Sequence, residues 1–193
     1  MLETLSSYPA LALAGAFALG LLSGSFLNVV ILRLPPWLQW HWERDCRELL
    51  ELQPEAGAAP KPPGIVVERS HCPGCGHSLA AWENIPLLSF LLLRGRCRGC
   101  GTPISWQYPA VELLTGVLFT LVVWRFGLTP QALAALAFTG ALIAASGIDL
   151  RTTLLPDGIT LPLLWLGLLL SLVPVFVGPG PAIIGAAVGY LSL

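Results

Sequence analysis

The sequence predicts an all-α integral membrane protein, a polytopic helical bundle with one large polar loop domain, and three observations carry that expectation. Of 193 residues, 55% are hydrophobic and 11% charged, with a mean hydropathy of +0.75, whereas a soluble domain carries about a quarter charged residues. The apolar residues fall in runs close to the roughly 20 residues of a membrane crossing. Eight of the ten Lys and Arg (Arg33, Arg44, Arg47, Lys61, Arg69, Arg94, Arg96, Arg98) lie in one inter-helix segment, which the positive-inside rule puts in the cytoplasm. That segment exceeds the ~60 residues for which the rule is sharpest, but Arg33 and the Arg94 to Arg98 cluster sit near membrane ends and count fully. A net charge of −1 decides nothing about nucleic acid, and none is expected as a partner.

The first apolar run, about Pro9 to Leu34, is long enough to span and lacks the basic start and cleavage site of a removable signal. Within it Gly20 and Gly24 are four apart, a spacing that lets helices approach closely, and Ser25 and Asn28 share a neighbouring face. The glycines read as a packing face; a buried Asn28 needs a hydrogen-bonding partner and is a candidate for the site. Pro35-Pro36 is expected to stop the helix. Trp37, Trp40 and Trp42 then suit a membrane interface, and residues 38 to 52 fit an amphipathic surface helix. Pro54 to Gly64 reads as a mobile linker, and Cys46 stands alone.

Cys72-Pro73-Gly74-Cys75 and Cys97-Arg98-Gly99-Cys100 are paired CxxC knuckles. Four thiolates at this spacing can occupy the corners of a tetrahedron, so a structural zinc bound by Cys72, Cys75, Cys97 and Cys100 is expected on the reducing side of the membrane. The glycine before each second cysteine suits the tight turn and its N–H···S contacts. A closed four-thiolate shell leaves no position for water, so the metal folds the loop and does not catalyse. His71 and His77 are read as bystanders. Ile85 to Leu93, nine apolar residues between the knuckles, is too short to cross a bilayer and either dips into the interface or packs on the helices.

Further spans are expected at about 110 to 126, 130 to 148 and 158 to 177. Glu112, just inside the second span, either faces a polar cleft or snorkels or caps at the interface. The organisation is therefore a first transmembrane helix over 1–34, a cytoplasmic loop with the four-cysteine motif over 35–108, and a membrane domain over 109–193. Counting crossings returns Gly147-Ile148-Asp149-Leu150-Arg151, a polar island between apolar runs, to the cytoplasmic side. A carboxylate beside hydrocarbon is costly, which makes Asp149 a functional candidate against the plainer reading of a solvated loop mouth.

Gly24-Ser25-Phe26-Leu27-Asn28, the knuckles enclosing Trp82-Glu83-Asn84-Ile85-Pro86, Tyr108-Pro109-x-Val111-Glu112 and Ile148-Asp149 through Leu155-Pro156-Asp157 together resemble the type IV prepilin leader peptidases, bifunctional peptidase/N-methyltransferases of the bacterial inner membrane. The resemblance runs along the whole chain. It implies a pair of membrane aspartates acting on prepilin or pseudopilin leader peptides at the cytoplasmic face, with Asp149 the first of the pair. It also implies methylation of the new N-terminus from S-adenosylmethionine, a cofactor to which no residue is assigned because no glycine-rich nucleotide fingerprint is present. The second aspartate of the family lies in a Gly-x-Gly-Asp motif. This sequence has three aspartates, Asp45, Asp149 and Asp157, and no such motif. One carboxylate cannot act as both base and acid, so the expectation is a chain that stops short of the second aspartate and is inactive alone. Asp157, after a proline at a helix start, is read as a capping or dipole residue. The other class of function is a catalytically silent membrane module whose zinc loop binds a partner in secretion or pilus assembly.

Overall fold

The computed structural model describes residues 9–52, 60–66 and 68–192, apart from the side chain of Ala81. Among them the regular structure is helical: α1 (Pro9–Leu49), a 3-10 turn (Ala81–Asn84), α2 (Leu88–Leu92), α3 (Gln107–Phe126), α4 (Pro130–Thr152), α5 (Asp157–Leu172) and α6 (Pro179–Leu191). Three of these, α1, α3 and α4, are long and apolar enough to cross a membrane. They form the core, with α1 packed most extensively on α3.

The contact is possible because α1 presents a stripe of small residues. Its buried positions Ala16, Gly20, Gly24, Asn28, Ile31 and Pro35 recur every three to four residues and so share one face. A Cβ on Gly20 would lie 2.6 Å from the Gly116 Cα, and one on Gly24 2.7 Å from the Glu112 Cα. The two backbones therefore meet directly, and the glycines are a packing face as the spacing predicts. Thr115, fully buried here, returns its hydroxyl to the Val111 carbonyl at 2.7 Å, which keeps a polar group satisfied inside the interface. On the other side Gly147 of α4 makes room for Ile31, whose Cδ1 would be 2.5 Å from a Cβ there.

Helix ends follow local chemistry. Gly127, at φ 65, closes α3 in a conformation that favours glycine, and its N–H bonds the Val123 carbonyl at 2.8 Å. Thr129 caps α4 by accepting from the Ala132 N–H at 3.3 Å, with Pro130 at the first helical position.

Two expectations are corrected. Pro35-Pro36 does not stop α1, which continues to Leu49 and takes in most of the separate surface helix expected over 38 to 52. The prolines deprive the Ile31 and Leu32 carbonyls of helical partners, but they stand at the end of the apolar run, and the helix continues past the two lost bonds. The span expected at 158 to 177 is α5, which ends at Leu172 after 16 residues, about 24 Å at 1.5 Å per residue and short of a ~30 Å hydrocarbon layer. Pro174 ends it, because the residue before a proline is pushed out of the α region; Val173 sits at φ −109, ψ 82.

Past α1 the linker read at Pro54 to Gly64 falls largely outside the described residues, and the returning chain is tied back to α1 by Arg33. Its Nη1 donates to the carbonyls of Gly64 at 2.8 Å and Glu68 at 2.9 Å, and its Nη2 donates to that of Arg69 at 3.3 Å.

Candidate metal centre and carboxylate site

The two knuckles are built alike. In each, the residue after the second cysteine turns back: the Gly76 N–H bonds the Cys72 carbonyl and the Gly101 N–H the Cys97 carbonyl, both at 2.9 Å. Cys72 and Cys97 then pair through their own N–H groups with the His77 and Thr102 carbonyls at 2.9 and 2.8 Å. The glycines that require a positive φ are Gly76 (70) and Gly101 (73), not the preceding Gly74 and Gly99 singled out from the sequence. Those two serve close approach instead. A Cβ on Gly74 would meet Thr102 Oγ1 at 3.2 Å and one on Gly99 would meet Cys75 Sγ at 3.4 Å, each across from the opposite knuckle.

This arrangement brings the sulfurs of Cys72, Cys75, Cys97 and Cys100 within 4.8 Å of one another, a set that can hold a metal ion. Cys72 and Cys100 are 3.8 Å apart and Cys75 and Cys97 4.0 Å, against about 3.8 Å between corners of a tetrahedron with 2.3 Å metal–sulfur bonds. The donor set and its spacing fit zinc. The Gly99 N–H points at the Cys97 sulfur at 3.3 Å. Hydrogen bonds from the Thr102 side chain and backbone push the Cys100 thiol down to about 6. A His77 backbone hydrogen bond, the largest single influence, lowers the Cys75 thiol, but hydrogen bonding with the neighbouring sulfurs and burial together push it up to about 12. Four thiolates this close repel one another, and a bound cation would offset that repulsion. Cys46 is exposed and outside the cluster.

His77 is engaged elsewhere. Its Nε2 lies 3.3 Å from Glu83 Oε2, and the same oxygen accepts the Ala80 N–H at 2.7 Å. The Ala80 hydrogen bond, then His77, hold the Glu83 carboxyl below the ordinary glutamate range. Glu83, buried under the first knuckle, was not singled out from the sequence; a lone acid three residues after Ala80 in a loop rich in cations is the signal that could have found it.

A second cluster joins the loop to the helices. Glu112 is neither in an open cleft nor a helix cap: it is 7% exposed, accepts the Leu87 N–H at 2.8 Å, and has the Ser25 side chain as a second partner. Asn28, 1% exposed, donates from Nδ2 to the Tyr108 carbonyl at 3.1 Å, which locks α1 to the start of α3. Its Oδ1 is buried without a partner. Arg151 Nη1 donates to Gln107 Oε1 at 2.6 Å, joining the end of α4 to the start of α3.

Asp149 occupies the last turn of α4, exposed beside the fully buried Ile148. Its backbone carbonyl accepts the Thr153 N–H at 2.8 Å. Among the described residues its carboxylate has no hydrogen bond and no ion pair. The Asn28–Tyr108 and Arg151–Gln107 bonds put the middle of α1, the start of α3 and the end of α4 together, so Asp149 stands at the end of α4 beside the point where the knuckle loop enters α3. Asp157 is the first residue of α5 and exposed. Pro156 holds the cap position with no side-chain bond, so the helix dipole, not capping, is what Asp157 answers.

Residues 18–126 match the family of the bacterial peptidase A24 N-terminal domain, and residues 136–193 match the type IV leader peptidase family. A protein of Xanthomonas campestris pv. campestris is 56% identical over 189 residues, covering 98% of this chain and 65% of the relative. One of Stutzerimonas stutzeri is 50% identical over 99% of this chain and 65% of its own length. One of Pseudomonas aeruginosa is 46% identical over 100% and 66%. All three are named prepilin leader peptidase/N-methyltransferase. The chain thus spans about 65% of the length of the curated relatives it matches. No solved structure matches it.

Proposed function

The chain belongs to the type IV leader peptidase family, and from that premise we propose that the protein is a membrane aspartic endopeptidase that removes the leader peptide of type IV prepilins or pseudopilins at the cytoplasmic face of the bacterial inner membrane. The observation that carries the reading is Asp149: a carboxylate in the last turn of a spanning helix, exposed, without a side-chain bond among the described residues, beside the point where the knuckle loop enters α3. Aspartic proteolysis needs two close carboxylates. Mutual repulsion keeps one protonated, so one group draws the proton from the attacking water and the other protonates the scissile carbonyl oxygen. Asp149 supplies one; its partner lies outside these 193 residues, and this chain alone does not cleave.

The lysine and arginine distribution supports a cytoplasmic knuckle loop and Asp149; the division into 1–34, 35–108 and 109–193 rests on the apolar runs alone, since α1 itself continues past 34 to Leu49. Cys72, Cys75, Cys97 and Cys100 hold a structural zinc that fixes the loop and takes no part in hydrolysis. S-adenosylmethionine, when bound, supplies the methyl group for the newly exposed N-terminal amine. Nothing in the geometry assigns residues to it.

The test uses the full-length protein. Asp149→Asn keeps the side chain's size and removes the shared proton, so prepilin cleavage should fall by orders of magnitude at unchanged protein level. Leader removal by the 193-residue chain, in a strain without its own peptidase, would overturn the assignment of a partner outside these residues and direct attention to Glu112 and Asp157.

A further inference from the structure

The segment between the knuckles carries an apolar face that no other described element covers, and its height relative to the membrane can be read from one bond. The Leu87 N–H is held at 2.8 Å by Glu112, the sixth residue of α3 and therefore about 7.5 Å inside its start at 1.5 Å per residue. The 20 residues of α3 span about 30 Å, the thickness of the hydrocarbon layer, so α3 has little freedom to slide along the membrane normal. The α2 helix starting at Leu88 is thereby held within the outermost acyl layer, up to about 7.5 Å below the start of α3.

Its side chains fit that level. Leu88, Leu91 and Leu92, at i, i+3 and i+4, share one face and are 48%, 70% and 65% exposed. Phe90 turns to the other side and stacks on Trp106 with centroids 4.8 Å apart. The chain reverses at Arg94 and Gly95, both at positive φ, and Arg94, Arg96 and Arg98 follow, all exposed. Arg98 lies over the Trp82 ring at 5.4 Å. Arg94 and Arg96 have no carboxylate partner among the described residues. Three leucines at acyl depth with three guanidinium groups beside them complement a single occupant, an anionic phospholipid. Its chains take the leucines and its phosphodiester takes the arginines. A protein groove would satisfy the leucines but has no reason to lie at this depth.

We propose that the segment from Trp82 to Arg98 is a bilayer-inserted foot: Leu88, Leu91 and Leu92 enter the acyl layer, Arg94, Arg96 and Arg98 bind anionic phospholipid headgroups, and the Glu112–Leu87 bond sets the depth. This holds whatever reaction Asp149 performs. The foot fixes the distance of the thiolate cluster from the membrane surface.

The zinc-loaded 193-residue chain in lipid nanodiscs tests it. A genetically encoded fluorescent amino acid replaces Leu91, Leu121 in the C-terminal half of α3, or Val66 in the loop, and lipids brominated in the acyl chain serve as quencher. Quenching at 91 should approach that at 121 and exceed that at 66; quenching at the Val66 level overturns insertion. Glu112→Leu should reduce quenching at 91, whereas Glu112→Gln, whose amide oxygen still accepts the Leu87 N–H, should preserve it and guards against a folding defect. In discs of mixed phosphatidylcholine and phosphatidylglycerol, Arg94→Gln with Arg96→Gln should lower retained phosphatidylglycerol in native mass spectrometry about fivefold per arginine, the equivalent of about 1 kcal/mol each, at unchanged zinc content. Unchanged retention overturns headgroup binding. Shielding of position 91 only on addition of a second protein would assign the face to a protein partner and overturn the proposal.

Discussion

Alanine at Gly20 and Gly24 should separate backbone contact from side-chain contact in the bundle. At both positions the new Cβ would face main-chain atoms of α3, at 2.6 and 2.7 Å, about 0.7–0.8 Å short of an ordinary contact. A backbone cannot rotate away, so α1 and α3 must separate along their length, and overpacking of this kind costs about 1–3 kcal/mol at each site. Separation would also stretch the Asn28 bond to the Tyr108 carbonyl, one turn beyond Gly24. At Gly147 the nearest atom is the tip of Ile31, at 2.5 Å. That clash is with a side chain, which can shift, and Ile31→Val, which deletes Cδ1 but keeps Cγ1 at 2.9 Å, should recover part of the Gly147→Ala loss. Gly15 meets nothing within 4 Å, so alanine there should leave stability unchanged or raise it by up to ~1 kcal/mol through helix propensity. Thermal unfolding in detergent, followed by tryptophan fluorescence, gives the four values. The reasoning fails if Gly20→Ala and Gly24→Ala unfold together with Gly15→Ala, or if Ile31→Val rescues Gly24→Ala as well as it rescues Gly147→Ala.

Metal analysis of protein purified without chelator should find about one zinc per chain, and Cys75→Ser or Cys97→Ser should lower both metal content and yield. Glu83, whose folded pKa is depressed below the ordinary 4.5, contributes stability to the loop that is complete above that value and lost as pH falls through the folded pKa; the advantage of wild type over Glu83→Gln in hydrogen exchange of the knuckles should shrink as pH drops below about 4.5. A cysteine at Leu128, chosen because Gly127 needs its positive φ, should react with a membrane-impermeant reagent added outside the cell, and one at Gly158 should not; the reverse pattern would invert the proposed orientation. Asp157→Asn, an exposed first-turn residue without a cap bond, should cost about 0.3–1 kcal/mol in thermal unfolding, and a larger loss would show that it has a partner.

The sequence made the bundle and the thiolate cluster legible for different reasons. Hydropathy placed α3 and α4 to within a turn or so, because a membrane helix must satisfy its backbone internally and so tracks the apolar run. The knuckles were legible because four thiols at CxxC spacing have few other uses. What the pattern could not give was set by partners distant in sequence. α1 runs through Pro35-Pro36, which the local rule reads as a stop. Glu112 left two readings open, and its partner is a backbone N–H 25 residues earlier, which carries no side-chain signal. Arg33 counted only as a charge, although its geometry makes it a binder of three carbonyls. Asp149 lies in the last turn of α4, at the start of the polar island that the sequence marks, but a catalytic pair is a relation between two groups, which a single position in a sequence cannot express.

The three carbonyls gripped by Arg33 also bear on how the loop can change. The chain is recaptured on α1 at Gly64, Glu68 and Arg69, so the approach to the first knuckle is held by Arg33 as well as by the start of α3. Because the grip is on main chain, it does not depend on which side chains stand at those three positions. Exchange of the Glu68 or Arg69 side chain should therefore leave the approach to the knuckles unchanged, whereas loss of the Arg33 guanidinium should release it.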